Sequence, residues 1–227
     1  MKRVSIILPA LNEQTVIHKT LLSLQPYRQQ GHEIIVVDGG SRDQTTDYAG
    51  RLCDRLIETQ PGRARQMNAG AAKGKGDILL FLHADTQLPD NAIHEISSQF
   101  EKHKHKVWGR FDVKLTGKHP LLYLVARLMN LRSRLTGIAT GDQAIFILSN
   151  VFQKLHGFPD VPLMEDIRFS RTLLSQSRPI CIKSRLTTSS RRWEQKGIMR
   201  TILLMWYLRL AHFLGKSPAE LSRIYSR

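Results

Sequence analysis

Carboxylate and amide side chains stand directly after three apolar runs near the start of the chain, where they could bind a polar ligand. Asn12 and Glu13 follow the first run, Asp38 follows the second, and His83 and Asp85 follow a later one. Each group alone is equally well explained as a helix cap or a turn. Three such loops together favour a binding site if the fold brings them to one place.

The pattern between these loops predicts how they are positioned. Short apolar runs alternate with stretches of helical spacing, which is typical of a mostly parallel sheet with helices on both faces. In such a sheet ligands bind at the carboxyl ends of the strands, where the loops emerge. The predicted strands are Val4–Leu8, Glu33–Asp38, Arg55–Glu58 and Ile78–Leu82, and the predicted helices are Glu13–Leu24, Asp43–Leu52 and Arg63–Lys73.

The pattern changes beyond residue 105. The predicted elements there are strand Val107–Leu115, helix His119–Arg134, strand Gln143–Leu148, helix Ile167–Leu174, strand Arg178–Arg185 and a long apolar helix, Ile198–Leu214. Glu165 and Asp166 head one of these helices, where the helix dipole favours acids. We predict an α/β domain at 1–195 with halves at 1–105 and 106–195, followed by a C-terminal helical appendage at 196–227.

Composition and charge narrow the class of protein. The chain has 227 residues, 41% of them hydrophobic and 23% charged, which excludes a disordered or collagen-like chain. Residues 1–114 hold 16 basic and 13 acidic side chains, while 115–227 hold 18 and 6, so +12 of the net charge of +15 lies in the second part. Such a basic region suits nucleic acid, an anionic membrane or a phosphorylated substrate, and charge alone does not choose among them.

Cysteine and apolar-segment patterns indicate the compartment. The two cysteines, Cys53 and Cys181, lie far apart, which favours a reducing cytosol over a disulfide framework or a zinc site. The first apolar run ends at Asn12, too early for a signal peptide, and no stretch reaches the roughly 18 apolar residues of a membrane span. We expect a cytoplasmic protein.

Four segments of the chain read SIILPALNE (5–13), EIIVVDGGSRD (33–43), GRARQMNAG (62–70) and ILLFLHAD (78–85). In this order they resemble glycosyltransferase family 2, whose members use nucleotide sugars and have the GT-A fold. The resemblance implies a Rossmann-like sheet whose first half, 1–105, binds a nucleoside-diphosphate sugar donor. The donor-binding residues it implies are Pro9, Asn12, Glu13, Asp38, Arg63, Asn68, His83 and Asp85.

The sequence departs from the family at two of these segments. Gly39 replaces the second aspartate of the usual Asp-Asp-Gly-Ser, and His83 replaces the first acid of the metal-binding Asp-x-Asp. The resemblance still implies a metal at Asp85, with Mg²⁺ or Mn²⁺ bridging two phosphates to neutralise the leaving diphosphate. His83 is open to three interpretations: a Mn²⁺ ligand, a donor to phosphate or a packed imidazole.

The family also implies an inverting single displacement and a base for the acceptor hydroxyl. Glu165 and Asp166 match the family's Glu-Asp pair, so we expect Asp166 to be the general base and Glu165 to orient the acceptor. The acids could instead simply stabilise a helix N-terminus.

Four further residues are candidates to hold the acceptor in the half 106–195: Asp142, Gln143, Arg192 and Trp193. Arg192 and Trp193 are similar to the Gln-x-x-Arg-Trp of processive members, but Ser189 occupies the Gln position. That departure argues against a polymerising synthase. Trp193 could equally anchor the following helix.

Other functions fit less well. A nucleic-acid-binding protein would need a helix-turn-helix, a finger or an aromatic stacking surface, and the sequence has none of these patterns. A nucleotidyltransferase acting on a sugar phosphate would open with a glycine-rich loop, whereas this chain has Pro9 and Asn12 there. The nucleotide, the sugar and the acceptor stay open.

The apolar helix at 198–214 gives the basic charge another role. Its Trp206 and Tyr207, with flanking Arg and Lys residues, favour a peripheral contact with the anionic inner face of the cell membrane. The acceptor would then be lipid-linked or hydrophobic. The same helix could instead lie in the core or form a homodimer interface.

Overall fold

The computed structural model describes residues 2–226, with the backbone alone at Ser226. Within that range eight strands form one sheet. They are β1 (Val4–Ala10), β2 (Glu33–Asp38), β3 (Arg55–Glu58), β4 (Ile78–Phe81), β5 (Thr86–Gln87), β6 (Trp108–Leu115), β7 (Phe146–Leu148) and β8 (Ile180–Thr188). Their order in the sheet is β3-β2-β1-β4-β7-β6-β8-β5.

The sheet has a parallel part and a mixed part. Strands β3, β2, β1 and β4 run parallel to one another. Strand β7 is antiparallel to both of its neighbours, β4 and β6, while β8 is parallel to β6 and antiparallel to β5. The α/β fold with a mostly parallel sheet, predicted from the alternating pattern, is confirmed.

Helices cover the sheet and extend beyond it. They are α1 (Gln14–Gln29), α2 (Thr45–Leu52), α3 (Arg63–Lys73), α4 (Ala92–Lys102), α5 (Pro120–Thr136), α6 (Ser149–Lys154), α7 (Glu165–Leu174), α8 (Arg191–Lys196), α9 (Ile198–Phe213) and α10 (Pro218–Ser226). The bounds predicted for β2, β3 and α3 are confirmed residue for residue.

Most other predicted bounds differ from the structure by one to five residues, and two of the differences have a clear physical reason. Helix α1 continues past Leu24, through Pro26, to Gln29, because Tyr27 still packs into the core. The predicted strand Gln143–Leu148 begins only at Phe146, since Gly141–Gln143 forms a 3-10 turn. In that turn the Gln143 backbone N–H donates to the Thr140 carbonyl at 2.8 Å, and the Gln143 side-chain oxygen accepts from the Thr140 N–H at 3.3 Å.

The parallel strands are buried on both faces, as their continuous apolar runs require. Ile6 and Leu8 of β1 pack toward one hydrophobic core, and Ile7 packs toward a second core on the opposite face. Gly70 of α3 lies so close to β1 that a Cβ there would be 2.5 Å from the Ile7 side chain. This close approach holds α3, and the loop before it, against the carboxyl ends of the strands.

The mixed part of the sheet carries a buried ionic network. Arg110 of β6 is completely buried and pairs with Asp112. Asp112 also accepts from Arg134 of α5 at 2.7 Å, and Asn130 of α5 bonds both to the N–H and to the carbonyl of Val113. These bonds attach α5 to the sheet.

The apolar helix α9 packs on the domain that precedes it. Leu208 and Ala211 form a cluster with Met164 and Ile167, at the start of α7, and with Leu221 of α10. One side of α9 is therefore covered by protein. Among residues 2–226 no helix is long and apolar enough to cross a membrane.

Candidate active site

A cleft of about 680 Å³ opens where the loops after β1 and β4 meet α7, α8 and α9. Ten of the fourteen residues singled out in the sequence line it. These ten are Pro9, Glu13, Arg63, His83, Asp85, Asp142, Glu165, Asp166, Arg192 and Trp193. The fold thus brings together side chains that are up to 184 positions apart in the sequence, from Pro9 to Trp193.

Two of the remaining four residues build the loops beside the cleft. Asp38 is 2% exposed, and its carboxylate accepts from the backbone N–H groups of Gly40 and Ser41, both at 2.8 Å. The Ser41 hydroxyl in turn accepts from the Asn12 N–H, and the Asn12 side chain accepts from the Arg42 N–H. Asp38 and Asn12 therefore hold two loops together, and their contact with a nucleotide stays a prediction.

The other two residues outside the cleft bind backbone groups. Asn68 donates to the Phe158 carbonyl at 2.8 Å and accepts from the Phe158 N–H at 2.9 Å, so it clasps the segment before α7. Gln143 is completely buried in its 3-10 turn. The roles predicted for these two residues in donor and acceptor binding stay predictions.

An ion pair joins the first loop to the end of the domain. The Arg191 guanidinium donates to the Glu13 carboxylate at 3.0 Å and to the Thr15 hydroxyl at 3.2 Å. This contact crosses 178 positions of sequence, so no local pattern could have revealed it. It places the cationic head of α8 beside the loop after β1.

His83 is packed between protein groups. Its Nδ1 lies 3.3 Å from an Asp142 carboxylate oxygen. On its other edge, Nε2 faces Gly141, where an added Cβ would lie only 2.4 Å away. Although burial alone would raise the pKa of Asp142, the bond from His83 and the charges of His83, Arg63 and Arg209 lower it. These contacts favour the packed imidazole among the three interpretations of His83.

The Glu165-Asp166 pair lies at the head of α7, after Met164 in the left-handed region at φ 67°. The Asp166 Oδ2 accepts from the Gly141 N–H at 2.9 Å, which ties the acid to the 3-10 turn. Glu165 is 5% exposed; burial, followed by the charge of Asp166, raises its pKa. The two neighbouring carboxylates therefore have different environments, which is the arrangement that separates acid and base roles.

Arginines provide the positive charge of the cleft. Desolvation opposes the charged form of Arg63, but Glu165 and Asp142, among other groups, raise its pKa overall. The Arg192 guanidinium stacks 3.5 Å from the centre of the Tyr225 ring and donates to the Tyr225 carbonyl at 3.0 Å. Arg209 of α9 also lines the cleft.

Arg209, Tyr225 and Arg191 were missed as site residues in the sequence. Arg209 had a signal, because it interrupts an otherwise apolar helix. Tyr225 had none, since α10 reaches the cleft only through its packing on α9.

Asp85 is the acid in the cleft expected to hold a metal ion. It lies in the loop between β4 and β5 and accepts from the Thr86 hydroxyl at 3.4 Å. In the described part of the chain no three His, Cys, Asp or Glu side chains are grouped to hold a metal ion. One carboxylate fits Mg²⁺ or Mn²⁺ that takes its other ligands from water and phosphate, and does not fit an all-protein cage.

The sheet order, with a cleft at the strand ends, is that of the GT-A fold. The profile "Glycosyl transferase family 2" matches residues 5–148, and the chain belongs to this family. The Bacillus subtilis probable glycosyltransferase YdaM is 27% identical over 193 residues, which cover 73% of this chain and 45% of YdaM. The chain thus spans less than half the length of that relative.

Solved structures share the fold. Residues 1–349 of Staphylococcus aureus TarS superpose with a TM-score of 0.68 at 18% identity, over 83% of this chain and 60% of that one. The Pyrobaculum calidifontis mannosyltransferase PcManGT, in complex with GDP-Man and Mn²⁺, gives a TM-score of 0.67 at 22% identity, over 98% and 68%.

Proposed function

We propose that the protein transfers a sugar from a nucleoside diphosphate to an acceptor hydroxyl, with inversion and with Asp166 as the general base. The observation that carries the proposal is that Asp166 and Asp85 line one cleft together with Arg63. A base for the acceptor and cationic groups for the diphosphate are the two requirements of a direct displacement. Support for the donor class comes from the family and from PcManGT, which was solved with GDP-Man.

Asp166 is suited to the role of base by its position. One oxygen is fixed by the Gly141 N–H, which orients the carboxylate toward the cleft it lines. Burial, followed by the charge of Asp166, raises the pKa of Glu165, so the two acids are not equivalent. We assign to Asp166 the acceptance of the proton of the attacking hydroxyl. The oxygen of the acceptor hydroxyl forms a bond to the anomeric carbon of the sugar while the bond from that carbon to the diphosphate oxygen breaks.

The leaving diphosphate meets positive charge from this chain's own side chains. Arg63, Arg191 and Arg192 line the cleft, and a guanidinium offers a planar fork of donors to phosphate oxygens. A Mg²⁺ or Mn²⁺ ion held by Asp85 would supply further neutralisation of the diphosphate when bound. Asp142 and Trp193 line the acceptor side, where Trp193 offers an aromatic face to a sugar.

The deciding experiment is the Asp166→Asn variant, with single-turnover kinetics and donor binding by calorimetry. Loss of the base should lower turnover roughly 10²- to 10⁴-fold and leave donor affinity nearly unchanged. Asp160→Asn is the matched control, because Asp160 is an exposed acid paired with Arg65. Turnover of Asp166→Asn within the range of the control would refute the assignment.

A second experiment addresses Asp85. Asp85→Ala should abolish the dependence of donor affinity on Mn²⁺, because the diphosphate then loses its bridge to the protein. Donor affinity that is insensitive both to EDTA and to this substitution would show a site that works without metal.

A further inference from the structure

Exposed apolar side chains are concentrated on two helices. Of the fifteen large hydrophobic residues exposed in the described part of the chain, twelve lie on α5, on α9 or at the residue that ends α9. The twelve are Tyr123, Leu124, Leu128, Leu131, Leu135, Met199, Leu203, Trp206, Tyr207, Leu210, Phe213 and Leu214. We call this set the apolar platform. Contiguous exposed apolar surface of this kind marks an interaction site.

The platform residues follow helical spacing. On α5, Leu124, Leu128, Leu131 and Leu135 recur every three or four positions, so they form one stripe along the helix. The side of α5 that carries Leu122 and Val125 packs on the protein, in a cluster that includes Ile198 and Ile202 of α9. The two helices thus adjoin each other.

Helix α9 repeats this arrangement. Met199, Leu203, Trp206, Leu210 and Phe213 form an exposed stripe, opposite the buried Leu208. The buried side of α9 already packs on the protein. The exposed apolar stripe of α9 therefore requires a different binding partner.

The two helices of the platform carry basic charge only. Neither α5 nor α9 contains an acidic residue, and together they carry five arginines. A second cavity, of about 220 Å³, adjoins α5 at Tyr123 and Arg127. Its lining includes five basic side chains and no acid; the basic ones are Lys114, Lys118, His119, Arg127 and Arg185. We call this cavity the basic pocket.

We propose that the apolar platform docks on an anionic phospholipid bilayer, with the basic pocket receiving the phosphate of a lipid headgroup. The helices would lie in the interface, with their apolar stripes in the acyl boundary and the exposed Arg127 and Arg200 at headgroup level. Charge complementarity selects this occupant. A second copy of the chain would bring the exposed Arg127 and Arg200 and the basic pocket close to their own copies, whereas an anionic leaflet attracts these groups.

Docking also gives α9 a part in substrate access. Arg209 of this helix lines the active-site cleft, so the cleft lies next to the bilayer surface when α9 is docked. An acceptor hydroxyl carried by a lipid would reach the cleft from there. This last step rests on the proposed transfer reaction, whereas the docking itself does not.

Tryptophan fluorescence provides a direct test of docking, without donor or acceptor. Trp206 is 66% exposed and lies on the platform, while Trp108 is fully buried. On titration with vesicles of phosphatidylglycerol and phosphatidylcholine, the emission should shift to the blue and be quenched by brominated acyl chains. Trp206→Phe should lose the spectral response and still sediment with the vesicles. Vesicles of phosphatidylcholine alone should give no response.

Matched variants separate the two parts of the surface. Lys118→Gln with Arg127→Gln should weaken binding to anionic vesicles about 30-fold, since each charge near an anionic leaflet contributes about fivefold. Lys102→Gln with Lys104→Gln removes the same charge from exposed positions elsewhere and should have little effect. Leu203→Gln should weaken binding about tenfold by losing apolar burial, and Leu22→Gln, also exposed, should not.

Two results would overturn the proposal. One is the absence of vesicle binding at low salt. The other is a dimer in light scattering that Leu203→Gln dissociates, which would assign the platform to a second copy of the chain. Because donor hydrolysis can be followed without vesicles, an active enzyme that fails to bind lipid would refute docking and leave the proposed reaction intact.

Discussion

The two halves of the molecule, here residues 2–105 and residues 106–225, differ in how completely their buried polar groups are paired and in how much apolar surface they expose. In residues 2–105, two buried side-chain atoms lack a hydrogen-bond partner in the protein, whereas residues 106–225 contain nine, four of them on arginines. Exposed large hydrophobic residues follow the same division, with three in the first half and twelve in the second. The first half pairs nearly all of its buried polar side-chain atoms within the protein, whereas the second half leaves more of them unpaired.

The difference shows where buried polar groups are least completely paired within the protein. Buried polar groups in folded proteins are normally paired, so a concentration of unpaired ones needs a reason. Arg132 of α5 has two unpaired guanidinium nitrogens, and burial, together with the nearby Arg209, lowers its pKa to about 10. Buried polar groups are therefore less completely paired within the protein in residues 106–225 than in residues 2–105.

The largest expected effect tests the ionic network of the second half. Asp112→Ala removes the partner of the fully buried Arg110 and should cost about 3–5 kcal/mol of unfolding free energy, because an unpaired buried charge is left behind. Urea denaturation measures this. The first-half counterpart is the partly exposed pair of Arg28 and Asp54, where Arg28→Ala should cost no more than about 1 kcal/mol. Equal costs in the two halves would contradict the comparison.

A related difference, between local patterns and contacts of distant segments, explains how much of the fold the sequence could predict. Bounds of β2 and α3 follow from local apolar period and flanking glycines, and both were predicted correctly. Strand β5 is two residues long and exists only through its pairing with β8, so it leaves no local pattern. Ten of the fourteen predicted site residues line the cleft. The loops at the strand ends and the acids at the head of α7 have local patterns that predict them, whereas Arg63, Asp142, Arg192 and Trp193 were predicted from the resemblance to the family.

The features that the sequence did not predict depend on contacts between segments that are far apart in the chain. Tyr225 lines the cleft because α10 folds back on α9, and Glu13 is paired with Arg191 across the whole domain. The exposed leucines of α5 look in the sequence like an ordinary core face. Only the fold shows that Leu122 and Val125 cover the core and that Leu128 does not.

The next largest expected effect tests the hydrogen-bonded loops of the first half. Asp38→Asn keeps one oxygen for the two backbone N–H groups that bond to Oδ2. It removes the charge and replaces Oδ1, the acceptor of the Ser41 hydroxyl, by an NH₂ group, which together should cost about 2 kcal/mol of stability. Donor affinity should fall with it, since the loop loses its order, while the response to vesicles stays unchanged. Ser41→Ala removes the hydroxyl that donates to Asp38 and accepts from the Asn12 N–H, and should cost about 1–2 kcal/mol. Full stability of Asp38→Asn would show that these bonds do not hold the loop.

A smaller effect tests the contact where the halves meet. Gly141→Ala should displace the His83 ring, which an added Cβ would approach to 2.4 Å, and should lower turnover at least about tenfold through misplacement of Asp142 and Asp166. In a His83→Ala background the same change should cost less than about threefold, because the clash is gone. Equal costs in both backgrounds would rule out the clash as the cause.

The smallest effect is a pH dependence within the second half, where neighbouring acids have opposite shifts. Burial and Asp166 raise the pKa of Glu165, so its stabilising neutral form is fully present below the ordinary pKa of 4.5 and lost as pH rises through the higher native pKa. Glu165→Gln stays neutral, so its stability relative to the native chain should increase across that window and then level off. Asp142 has a pKa lowered by His83 despite burial, and its contribution is lost as pH falls below the ordinary 3.8. Asp142→Asn should therefore be less stable at neutral pH and converge with the native chain in acid, as thermal unfolding at stepped pH would measure. Parallel curves for the two variants would mean that Glu165 and Asp142 do not have opposite pKa shifts.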